Sequence, residues 1–241
     1  MPRFICYTFL LCWIILISIK LEAQNTVHSG RKISEYITPT LLISYGIWCT
    51  GDNGFPSSKR IQNFRNQHIP NFQTSIDDYL VFAPAASVYA LDLINVKSAN
   101  DPLNQTLLFA KTSAITLVTV YGLKYITQET RPDGSNNHSF PSSHTAFAFA
   151  YATVLHQEFK DQSVWISIAG YSAASAVGAL RIANNAHWLN DVLIGAGIGM
   201  LSTKLVYATH RNKYKSNWPK KSALLPNIGN QYYGMVWQHT F

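Results

Sequence analysis

Six apolar stretches, at roughly residues 33–49, 79–94, 107–125, 145–157, 163–180 and 188–209, recur along the 241-residue chain. Between them lie segments rich in helix breakers: Gly51-Asp-Asn-Gly-Phe-Pro-Ser-Ser, Lys97-Ser-Ala-Asn-Asp-Pro and Asp133-Gly-Ser-Asn-Asn. The stretches are Ala-rich and mostly too long for strands, so their period is read as helical. This pattern predicts an all-α bundle of about six helices, with most charged residues in polar loops. There is no internal repeat and no low-complexity tract.

Hydrophobic residues make up 47% of the chain and charged residues only 13%, which suits either a large core or helices that meet lipid. The formal charge of +7 and the pI of about 9.3 favour anionic partners. Zinc-knuckle, basic-helix and aromatic RNA-binding signatures are missing from the sequence, which argues against nucleic acid. Residues 1–23 read as a targeting segment: Arg3 supplies a positive start, 4–19 is almost wholly apolar, and Leu21-Glu22-Ala23 offers a cut site. A cleaved signal peptide is favoured over a retained anchor. The chain is then exported, to the periplasm or the periplasmic face of the inner membrane of a Gram-negative-type envelope. Cys6 and Cys12 lie in that segment, which leaves Cys49 as a packed thiol with no disulfide partner and no cysteine metal site.

The expected organisation is a targeting segment (1–23), a polar segment with the first helix (24–76), a core (77–210) and a basic linker with a tail (211–241). In the tail Tyr233, Met235, Trp237, His239 and Phe241 alternate with other residues, a short irregular or strand-like pattern expected to pack on the bundle. The 163–180 stretch is charge-free over about a membrane-spanning length, whereas most others carry Asp, Lys or His inside or are shorter. Three full spans after a cleaved signal would leave the Lys124–Arg131 end in the cytoplasm, whereas the cluster Arg211, Lys213, Lys215, Lys220 and Lys221 asks for the far end there. The expectation that follows is a periplasmic domain lying on, or partly inserted into, the membrane.

Three blocks carry the chemistry: Lys124-x6-Arg131-Pro132, Pro141-Ser142-Ser143-His144, and Arg181-x5-His187-x3-Asp191. His187 and Asp191, four apart, share a face if a helix opens near His187. A carboxylate on one ring nitrogen fixes the tautomer and leaves the other as a nucleophile. Ser142 or Ser143 can cap a helix whose N-terminus accepts an anion. His144, in its first turn, can act as general acid. Arg131 and Arg181 can grip phosphate oxygens in a planar fork, and Lys124 adds a point charge. Each part alone has a bland structural reading; the ordered set points to phosphoryl transfer through a histidine without a metal.

The ordered blocks resemble the signature of the type 2 phosphatidic acid phosphatase and vanadium haloperoxidase superfamily over residues 77–207. The resemblance implies an α-helical bundle and metal-independent catalysis. It assigns phosphate binding to Lys124, Arg131, Ser142, Ser143 and Arg181, with His187 as nucleophile, His144 as acid and Asp191 as the partner of His187. The Asp77-Asp-Tyr to Ala83-Pro-Ala-Ala stretch also resembles bacterial envelope members. Two positions depart from the pattern: Ser143 stands where the family usually has Gly, and Leu180 where it has Ser. His138, His156, His210 and Trp188 are assigned no catalytic role.

The expected function is an envelope phosphatase acting on lipid phosphomonoesters or pyrophosphates through a phosphohistidine, with a bell-shaped pH profile. The alternative is a soluble periplasmic acid phosphatase using small phosphate esters; a vanadate-dependent haloperoxidase or a silent scaffold comes after both. No cofactor is expected. Vanadate should occupy the phosphate pocket, as inhibitor or, in a haloperoxidase, as cofactor. The substrate and oligomeric state stay open.

Overall fold

A computed structural model describes residues 34–210, together with the backbone of 222–229 and 232–239. The expected targeting segment and the basic linker lie outside these residues. Eight helices are described: α1 (Ser34–Trp48), α2 (Ser58–His68), α3 (Ile76–Leu80), α4 (Ala83–Leu93), α5 (Pro102–Thr127), α6 (Ser143–Phe159), α7 (Val164–Ala183) and α8 (Leu189–Thr209). Strands β1 (Ser222–Gly229) and β2 (Tyr232–His239) form an antiparallel hairpin, with Ser222 opposite His239 and Gly229 opposite Tyr232. The alternating tail is therefore one arm of a hairpin.

Seven of the eight described helices fall on the six apolar stretches, and the all-α reading holds. Two differences have physical causes. The 79–94 stretch divides into α3 and α4, and Pro84 stands in the first turn of the second. α2 was not anticipated because its sequence, Ser-Lys-Arg-Ile-Gln-Asn-Phe-Arg-Asn-Gln-His, has no apolar stripe. It is held by polar burial instead. The Ser57 hydroxyl caps it by accepting from Arg60 N–H, and Arg65 donates to the carbonyls of Ala183, Pro70 and Phe72.

α6 and α8 form the centre, with α1 and α5 against α8 and with α4, α5 and α7 against α6. Small residues let the two central helices approach closely. A Cβ added at Gly195 would lie 2.6 Å from the Ser142 carbonyl oxygen, and one at Gly199 would overlap the Ala146 carbonyl. Ala146, Ala148, Ala150 and Ala152 are fully buried on α6. This close contact brings the N-termini of α6 and α8 together, and Ser142 N–H donates to the Asp191 carbonyl at 3.1 Å.

Three helices, α5, α7 and α8, are long and apolar enough to cross a membrane, two of them despite the charges that the sequence reading counted against a span. α5 runs several residues beyond its apolar stretch at the N-terminal side. In α8, Asp191 and Lys204 turn inward and are buried, so they do not meet the helix exterior. Only 28% of the apolar window is buried in α5 and in α7, against 61% in α8, so the first two present apolar faces outward. By length and composition these helices suit a membrane protein.

Candidate active site

The site lies at the end of the bundle where α5 stops, α6 and α8 begin and α7 stops. α5 ends at Thr127, with Gln128 in the left-handed region, so Arg131 and Pro132 lie in the following loop and not at a helix end. Lys124, in the last turn, is buried and donates to the His138 carbonyl at 2.7 Å and the Ser139 carbonyl at 3.2 Å. Arg131 Nε donates to Asn136 Oδ1 at 3.1 Å. These bonds fold the 128–142 loop over the site.

Ser142 is the N-cap of α6, its hydroxyl accepting from Thr145 N–H at 3.4 Å. Ser143 opens the helix with an ordinary negative φ, so the side chain that replaces glycine imposes no backbone strain. The free N–H groups of this first turn make an anion seat. Leu180 is half-buried in the last turns of α7, one residue before Arg181.

α8 starts at Leu189, two residues too late to carry His187 on the same helix as Asp191. Trp188 is its N-cap, and His187 lies outside it. The two side chains still meet, with His187 Nδ1 3.4 Å from Asp191 Oδ2. Asp191 at the third helical position accepts from Trp188 N–H at 3.0 Å, so one carboxylate caps the helix and orients the histidine. Ser139 Oγ donates to the same oxygen at 2.5 Å, and Asn190 Nδ2 donates to the other at 3.1 Å. Asn190 is in turn bonded to Ser58 of α2 at 2.8 Å. Trp188 Nε1 donates to the Thr130 carbonyl, tying the 128–142 loop to α8.

His187 is completely buried, and its Nε2 has no partner, nor does the buried Nε of Arg181. A buried polar nitrogen with nothing to bond is costly and marks a place for a ligand. Burial holds the His187 pKa well below the usual histidine range, and the charges of Lys124, Arg181, Arg131 and His144 push it the same way. The ring is therefore neutral at physiological pH, as a nucleophile requires. The same charges show that four predicted groups from three chain segments converge on one ring.

Two carboxylates that sequence reasoning left without a role complete the site. Asp77 binds Arg181 Nη1 at 2.7 Å and accepts from Asn184 Nδ2 at 3.0 Å. Asp78 lies 2.9 Å from His144 Nε2. Burial lowers the His144 pKa and Arg181 lowers it further, while Asp78 and Asp77 raise it. Asp77-Asp-Tyr stood out in the sequence only by resemblance. Ser139, Asn184 and Asn190 gave no signal, because single polar residues in loops and helix starts are common. Of the histidines assigned no catalytic role, His138 supplies a carbonyl to Lys124, while His156 bonds Ser167 at 2.8 Å and His210 approaches Lys111 at 3.1 Å, both away from the site.

Residues 105–215 match a family model described as the PAP2 superfamily. Over these residues the chain is similar to the PAP2 superfamily. The chain is 35% identical over 157 residues to a protein of Porphyromonas gingivalis called lipid A 1-phosphatase; the alignment covers 64% of this chain and only 35% of that relative. Two solved structures align more loosely. LpxE of Aquifex aeolicus shares 22% identity over 60% of this chain and 93% of its own, with a TM-score of 0.45. A transmembrane PAP2 type phosphatidylglycerolphosphate phosphatase from Bacillus subtilis shares 18% over 70% and 94%, with a TM-score of 0.46. All three blocks of the site fall inside the PAP2 match.

Proposed function

We propose that this protein is a membrane phosphatase of the PAP2 kind that cleaves phosphomonoesters or diphosphates of lipids through a phosphohistidine, without a metal. The observation that carries the reading is the buried, unpartnered His187 Nε2, in a ring influenced by Lys124, Arg131 and Arg181. In the first step Nε2 attacks phosphorus as the bond from phosphorus to the leaving oxygen breaks. His144 gives that oxygen its proton. In the second step a water oxygen attacks the phosphorus, His144 takes the water's proton, and phosphate leaves as His187 recovers its lone pair. Asp191 holds His187 and balances the cation that forms on it. Lys124, Arg131, Arg181, Ser142 and the Ser143 backbone neutralise the equatorial oxygens.

A lipid leaving group is supported by what lies beside the acid. His144, Phe147 and Tyr151 follow one another at i, i+3 and i+7 on one face of α6. Tyr151 packs against Phe82, Phe109 and Phe147 with ring centroids 6.3, 5.6 and 5.9 Å away. A strip of aromatic rings thus leads away from His144 along the bundle, suited to an acyl or prenyl chain. The relative called a lipid A 1-phosphatase agrees with this direction. The proposed orientation sets the site end on the periplasmic face, because the cationic run from Arg211 to Lys221 follows the far end of α8.

The test is phosphate release in EDTA from a panel of lipid phosphates and one small ester, with His187→Ala beside the intact protein. Lipid-selective release that the substitution abolishes supports the proposal. Release that needs added metal, or that survives His187→Ala, overturns it, and release from the small ester alone moves the assignment to a soluble-type acid phosphatase.

A further inference from the structure

We propose that Asp78 selects the charge of the leaving group, so that the site accepts phosphomonoesters of an uncharged alcohol and discriminates against diphosphates. The inference rests on the phosphatase reading and narrows its substrate class.

The geometry starts from the acid. To protonate the leaving oxygen, His144 must come within hydrogen-bond reach of it, about 3 Å. Asp78 Oδ1 lies 2.9 Å from Nε2 of the same imidazole. Whatever is attached to the leaving oxygen therefore sits about one ring's width from a carboxylate. In a monoester that atom is carbon. In a diphosphate it is the second phosphorus, which carries its own anionic oxygens.

The charges on the two sides of the scissile bond differ in kind. Lys124, Arg131 and Arg181 all act on His187, where the transferred phosphoryl group is received. Around His144 stand Arg181, Asp77 and Asp78, and Arg181 is already bonded to Asp77 at 2.7 Å. Other cations at this end are engaged away from it: Lys59 with Asp52, Arg60 over the Phe55 ring, Arg65 on backbone carbonyls. A second phosphate would meet carboxylate where it needs cation. Repulsion built against a competitor is a direct route to specificity. An alcohol, by contrast, offers Asp78 nothing to repel, and a hydroxylated one can donate to it.

The experiment compares kcat/KM for a prenyl monophosphate, the diphosphate of the same prenyl chain, and a nitrophenyl phosphate bearing an alkyl chain, in one detergent. Nitrophenolate leaves about as readily as phosphate, so any weakening of the acid in Asp78→Asn affects the last two alike. The intact protein is expected to prefer the monophosphate to the diphosphate. Asp78→Asn is expected to raise the diphosphate-to-nitrophenyl ratio by about tenfold, while Asp78→Glu, which keeps the charge, holds it near the original value. A purely structural role for Asp78 would move all three substrates together. Equal use of monophosphate and diphosphate by the intact protein overturns the inference, as does an unchanged ratio in Asp78→Asn. Hydrolysis of none of the three would remove the phosphatase reading itself.

Discussion

At the scale of single residues, the Asp191 carboxylate is the most heavily used group in the site. Its Oδ2 receives Ser139 Oγ, Trp188 N–H and His187 Nδ1, and its Oδ1 receives Asn190. Ser139 lies closest and is shared with the His187 ring at 3.5 Å, so it fixes where the carboxylate stands beside that ring. Ser139→Ala should lower kcat about tenfold with a smaller change in KM, the loss expected for one hydrogen bond to a charged group. Steady-state kinetics on one lipid phosphate checks this. The pH profile follows from the two histidines. kcat/KM rises as His187 loses its proton and falls as His144 loses its own; both pKa values lie below the usual 6.5, that of His187 well below. The order is the productive one, and a bell with its maximum on the acid side of 6.5 is predicted. Asp78 raises the His144 pKa, so Asp78→Asn should move the alkaline limb to lower pH and leave the acid limb in place. That His187, His144 and the three cations would converge on one site was legible in the spacing, because the ordered blocks are rare. Asp77, Asp78, Ser139 and Asn190 act only through the fold and leave no spacing to read.

At the scale of elements, site geometry depends on how closely α6 and α8 cross. Gly195 and Gly199 face the backbone of Ser142 and Ala146 with no room for a methyl group. Gly199→Ala must push the helices apart, and because the obstacle is a backbone carbonyl, no rotamer change can relieve it. A loss of about 1–3 kcal/mol is expected, read as a lower midpoint of thermal unfolding in detergent, with activity falling as the two N-termini separate. An unchanged midpoint would mean that the contact is looser than described. Most helices could be read from hydrophobic runs. α2 could not, since Gln62 and Arg65 are buried through hydrogen bonds and a polar helix has no apolar period to detect. The start of α8 shifted for a similar reason: Trp188 takes the cap position, and His187 is held by Asp191 from outside the helix.

At the scale of the whole molecule, apolar side chains face outward along the bundle and around the end that holds the candidate site. Leu117, Val118 and Tyr121 of α5 are exposed, as are Trp165 and Ile168 of α7. Phe55, Phe64, Ile76, Tyr79 and Tyr125 project near the site end. Such a distribution suits a bundle embedded in lipid with aromatic residues towards an interface, and the protein should stay in the membrane fraction after an alkaline carbonate wash. Recovery in the soluble fraction would contradict insertion. Composition and hydropathy alone pointed to partial insertion, because buried charges such as Asp191 and Lys204 count against a span until the fold shows them turned inward. Orientation is tested by Ser135→Cys in the loop over the site, which a membrane-impermeant maleimide should label from the periplasmic side.

The central claim is that His187 carries the phosphoryl group. The most direct test is to mix the purified protein with a lipid substrate bearing a radiolabelled phosphate, quench in alkali within a turnover, and measure protein-bound label. The account predicts label that is stable to alkali, lost in acid, and absent from His187→Ala. Protein that releases phosphate from this substrate yet never carries such label, or a variant lacking His187 that still does, would contradict it.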